Sequence, residues 1–69
     1  MHIHETRYMN IADRPATVVL VESVADDVAA YAFSGRVSGH HAAHHGYKLT
    51  EREARRLGLA IPAGKYYRR

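Results

Sequence analysis

Four of the chain's six histidines fall in one run, His40-His41-Ala42-Ala43-His44-His45, and the other two, His2 and His4, stand at its N-terminal end. On a helix, His40/His44 and His41/His45 would each share a face, and on a strand so would His2 and His4, so either arrangement offers imidazoles to a metal ion. The run holds no cysteine and no acidic residue. It is therefore neither a zinc-finger signature nor the His-Glu-x-x-His pattern of a metalloprotease. Gly39 and Gly46 bracket the segment as a polar surface connection, which is the preferred reading. The alternatives are a histidine-bound metal site with a structural role and a contact that responds to pH, because an ordinary imidazole titrates near pH 6.5.

The second chemical signal is charge. Up to residue 46 three arginines face five carboxylates, whereas residues 47–69 contain Lys48, Arg52, Arg55, Arg56, Lys65, Arg68 and Arg69 against only Glu51 and Glu53. Such a basic third suits phosphate or an acidic protein surface; its plain alternative is a solvated face. Arg52 lies three and four positions from Arg55 and Arg56, where like charges oppose a helix, unless Glu51 pairs with Arg55. Tyr66 and Tyr67 sit among the last cations. They either stack on bases of a single strand or divide into one core and one exposed residue of an edge strand.

The elements that must position these groups follow from periodicity. Residues 16–24 read as a central strand, with Thr17, Val19 and Val21 on one face and Val18, Leu20 and Val24 on the other, started by Pro15. Residues 3–11 offer a weaker strand. Residues 28–33 fit a third strand, joined through Ala25-Asp26-Asp27 as a hairpin with Tyr31 and Phe33 on one face, in preference to a short helix ended by Gly35. Thr50 and Glu53 form a capping box, Leu49 and Ala54 a hydrophobic staple, and Gly58 a terminator, so a two-turn helix begins after Thr50. The turn Ile61-Pro62-Ala63-Gly64 then sends the tail back. The expectation is a single small α+β domain: an antiparallel sheet of two or three strands and one short C-terminal helix. Residues 1–37 are mainly strands, 38–47 a His/Gly-rich connection and 48–69 a basic helix and tail.

A 69-residue chain without cysteine buries a marginal core and has no disulfide to support it, which favours association into a homo-oligomer. The N-terminal residues lack the pattern of a secretory signal, and the longest apolar stretch, residues 18–21, is too short to span a bilayer, so a cytoplasmic protein that avoids membranes is expected. No nucleophile elbow, phosphate-binding loop or nucleotide fingerprint occurs, and the clustered histidines have no carboxylate at a fixed spacing to orient them. The expectation is a non-enzymatic regulator or inhibitor without cofactor. It would dock through Lys48, Arg52, Arg55, Arg56, Lys65, Tyr66, Tyr67, Arg68 and Arg69 on an acidic protein or nucleoprotein complex. In size and charge alone it resembles small phage and mobile-element proteins that inhibit host defence, such as anti-CRISPR proteins. The competing expectation is direct nucleic-acid binding by the same Arg/Tyr-rich C-terminus.

As an exposed connection, His40, His41, His44 and His45 should hold no structural metal. Elemental analysis of the purified protein checks this. Stoichiometric zinc that survives dialysis against a chelator, together with unfolding once it is stripped, would replace the connection by a metal site.

Overall fold

The computed structural model describes residues 2–68. Three long antiparallel strands, β1 (His2–Ile11), β2 (Arg14–Glu22) and β3 (Asp27–Ser34), lie side by side in chain order. The outer edge of β3 is shared by two short strands. The two-residue β4 (Tyr47–Lys48) runs antiparallel to it beside Tyr31 and Ala32, and β5 (Tyr66–Tyr67) runs parallel to it beside Asp27 and Val28. Helix α1 (Gly39–His45) and helix α2 (Glu51–Arg56) complete the chain.

The expected fold class needs correcting in its count: the α+β architecture stands, but the sheet has five strands, not two or three, and there are two short helices, not one. Residues 28–33 are strand, as preferred over helix. β4 is two residues long and carries no local pattern, so tertiary contacts define it, whereas β5 is the edge strand given by one of the two readings of Tyr66 and Tyr67.

β2 is central because both of its faces are apolar. Val18 and Leu20 are buried toward α2, in one cluster with Val28, Ala30, Ala32, Leu49, Ala54, Leu59 and Tyr67. Val19 and Val21 are buried on the opposite face, in a second cluster with Ala42 of α1. Val24, assigned to the first face by sequence, instead lies in the turn and is 96% exposed. Thr17 is the one buried polar residue among those described. Its hydroxyl donates to the Gly35 carbonyl (2.8 Å) and accepts from the Val37 amide (2.9 Å), which pins the segment leading into α1.

The histidine run is not a loop. Ser38 caps its first turn by accepting from the His41 amide (3.2 Å), and Ala42 is fully buried against the sheet. Gly46 closes it where a Cβ would lie 2.7 Å from the Ala32 carbonyl oxygen, so this strand–helix contact requires a residue without a side chain. α1 covers only part of its face, and Val21, Ala29 and Tyr31 line an open cleft beyond it with Ser23, Val24 and Arg68.

α2 forms as its sequence predicts. The Thr50 hydroxyl accepts from the Glu53 amide, and the Glu53 carboxylate accepts from the Thr50 amide. At the other end the Gly58 amide donates to Arg55 and the Leu59 amide to Ala54, with Gly58 at φ +79°, the Schellman arrangement.

The β1–β2 turn is made by Ala12 and Asp13, both at positive φ (+52° and +64°). Two-residue hairpins demand that conformation and ordinarily supply it with Asn-Gly. The combined change Ala12→Asn and Asp13→Gly should therefore raise stability by about 1 kcal/mol, read from the urea midpoint. An unchanged or lowered midpoint would refute the turn's conformation.

Candidate docking surface

The basic C-terminal third divides in space into two groups, one tied to carboxylates of the β2–β3 hairpin and one on α2. The first group fastens the tail. Lys65 reaches the Glu22 carboxylate (2.8 Å) and Asp26 (2.7 Å), and Arg68 donates through Nε to Asp27 (3.1 Å). His4 also contacts Glu22, and the Ser23 hydroxyl donates to Asp27. Asp26 is 68% exposed, so water screens its pair more than that of Glu22, which is 15% exposed. Between these cations Tyr67 turns inward at 5% exposure and donates its hydroxyl to the Leu59 carbonyl (2.8 Å). Burial pushes its phenol pKa up. Tyr66 turns outward, 59% exposed. The alternation of core and exposed tyrosine is thus realised, and Tyr67 has no face to offer a base.

The second group is on α2. Arg55 is drawn back to Glu51 (3.1 Å) and lies over the Tyr67 ring (5.4 Å to its centroid), the intrahelical pairing that relieves the arginine cluster. Arg52 and Arg56 are exposed and form no ion pair with another described residue. Lys48 is exposed on β4, and Arg69 lies outside the described residues.

Two of the clefts that border α2 contain an arginine of that helix. Arg56 lines one with Ile11, Tyr47, Leu49, Glu53 and Leu57. Arg55 lines the other with Glu51, Ile61, Lys65, Tyr66 and Tyr67. Each cleft pairs an arginine with a solvent-exposed tyrosine, Tyr47 being 55% exposed.

Sequence reasoning missed two contributors. Tyr47 had no motif to mark it. Arg7 anchors the end of α2 from β1, its guanidinium donating to the carbonyls of Leu57 (3.1 Å) and Gly58 (3.4 Å), and it also contacts Glu5. These carbonyls carry the negative end of the helix dipole, so a cation is well placed there. The partners are 50 positions apart, a contact that no local pattern encodes.

The histidines gather in two places. His41 and His45 share a face of α1, ring centroids 4.5 Å apart, with His41 edge-on to Phe33 at 4.8 Å. His2 and His4 meet edge-on at 4.8 Å at the far end of β1. Among the described residues no three His, Asp or Glu side chains converge as a metal-binding group. No helix among them is long and apolar enough to cross a membrane.

The hydrogen bond from Lys65, seconded by His4, holds the Glu22 carboxyl below its usual value, and Arg68 followed by Ser23 does the same for Asp27. A carboxyl lowered by folding stabilises the native state above its unfolded pKa, and that contribution disappears as pH falls through the folded value. Stability should therefore hold at neutral pH and decline below the ordinary carboxylate value, 4.5 for Glu22. Glu22→Gln should flatten this decline in pH-dependent urea unfolding, whereas an unaltered acid limb would show that the tail is fastened otherwise. No family model matches this chain, and neither does any curated protein or solved structure.

Proposed function

We propose that this protein is a non-enzymatic regulator or inhibitor that docks the outer face of α2 on an acidic protein or nucleoprotein partner. The observation that carries this reading is the pair Arg52 and Arg56, exposed on a helix fixed at both ends and forming no ion pair among the described residues, beside the exposed Tyr47 and Tyr66. Arginine and tyrosine are the residues that dominate binding energy at protein interfaces, because each combines a large flat surface with directed hydrogen bonds. A rigid element presents them with little ordering cost on binding. The specific form that size and charge suggest is an inhibitor of a host-defence nucleoprotein, such as an anti-CRISPR protein. Homo-oligomeric assembly belongs to the same proposal.

Protein docking is favoured over direct nucleic-acid binding because the latter loses most of its equipment. Lys65 and Arg68 are occupied by Glu22, Asp26 and Asp27, Arg55 by Glu51, and Tyr67 by the core. What remains is a small patch, whereas tracking a single strand calls for a basic groove with successive stacking rings.

Co-purification from the native host with a tagged copy, followed by titration of the captured partner, tests the proposal. Arg56→Ala should weaken that complex by about 2 kcal/mol, and Arg36→Ala, over the Tyr8 ring on the α1 side of the sheet, should leave it unchanged. Binding to single-stranded DNA or RNA should be weaker than about 100 μM at moderate salt. Tight, length-dependent binding to single strands, steeply weakened by salt and lost in Tyr66→Ala, would make nucleic acid the partner.

A further inference from the structure

Among the described residues β1 is the outermost strand of the sheet, and none of them pairs with its far edge, which runs for ten residues. At the other margin the edge of β3 is already occupied by β4 and β5. An open edge of this length is a template for another strand, and proteins that remain monomeric blunt it with proline, lysine, bulges or a covering segment. β1 has neither proline nor lysine, and its one irregularity, between Ile3 and Glu5, lies near one end. From Glu5 to Ile11 the strand pairs regularly with β2, so its outer edge is regular as well.

The occupant of that edge is indicated by the strand's own charges. In an antiparallel pair of identical strands, residues equidistant from the two-fold axis face each other on the same side of the sheet. Centring the axis on Thr6 sets Glu5 opposite Arg7 of the second copy and Arg7 opposite its Glu5. Centring it on Glu5 or on Arg7 would set like charges face to face, which opposes pairing. Glu5 and Arg7 already share one side of the strand and touch each other, with side chains 33% and 37% exposed, so a second copy can reach both.

We propose that the chain forms a two-fold dimer in which the β1 edges of two copies pair antiparallel with Thr6 on the axis, making one continuous sheet. The four charges of Glu5 and Arg7 from both copies then close a ring over the junction and select this register. Both α2 helices fall on one face of the joined sheet, and both α1 helices on the other.

Sedimentation analysis over about 1 to 100 μM should show a dimer, and Glu5→Arg or Arg7→Glu alone should weaken it about tenfold or more. Mixing the two single variants should restore assembly as a heterodimer, since one strand then carries two cations and the other two carboxylates at facing positions. Arg7 also holds the end of α2, so circular dichroism must show that its variant is folded. An independent measurement leaves that contact untouched. The chain has no cysteine, and in Thr6→Cys the facing residues would lie about 4.5 to 5.5 Å apart at Cα, within disulfide reach. Oxidation should then give a covalent dimer, while Asn10→Cys, whose copies would be about 27 Å apart, should give none. A monomer throughout that range, a dimer indifferent to Glu5→Arg, or cross-linking at Asn10 in place of Thr6 would overturn the proposal.

Discussion

The whole molecule depends on burying one strand on both sides. Val18 and Leu20 face one way and Val19 and Val21 the other, each at most 4% exposed. A strand apolar on both faces needs cover above and below, which a large α/β protein provides with long helices. This chain provides it with two helices of seven and six residues. Neither is long enough to be stable alone, so each exists because it is docked. Each has one fully buried residue, Ala42 in α1 and Ala54 in α2, and so small a side chain lets the helix backbone approach the sheet closely.

That economy explains where the charged residues go. With so little apolar area, the periphery is closed by polar contacts: Arg7 at the end of α2, Thr17 beneath the approach to α1, and the Glu22, Lys65, Asp27 and Arg68 group at the tail. A sequence whose C-terminal third looks uniformly basic thereby becomes a surface with an exposed arginine helix, while Lys65 and Arg68 are matched to carboxylates from the β2–β3 hairpin. Stability and the candidate docking surface draw on the same residue types and are separated by position.

How much of this is legible in the sequence depends on how local its cause is. β2 is legible because β-branched residues fill both parities of a short run, and α2 because Thr50, Glu53 and Gly58 are direct chemical instructions to start and stop. The hairpin to β3 is legible through Asp26, which adopts positive φ in the turn. α1 is not, since histidine is an indifferent helix former, glycines flank the run, and the stabilising contact of Ala42 is made only once the sheet exists. The β1–β2 turn lacks the expected Asn-Gly. The candidate surface was half legible. Its helix and arginines were visible, but the removal of Lys65, Tyr67 and Arg68 depends on partners far away in the chain.

The parallel strand β5 carries a kinetic consequence. Its ion pair from Lys65 to Asp26 joins residues 39 positions apart, whereas β1, β2 and β3 are linked by tight turns. Loop-closure entropy delays contacts between distant residues, so the meander of β1 to β3 assembles first and the tail arrives last, sealing Tyr67 into a core that until then is open on one side. Reversed in time, the same order makes the tail the first part to leave. The route by which this protein unfolds, and by which a protease first gains entry, therefore begins at β5.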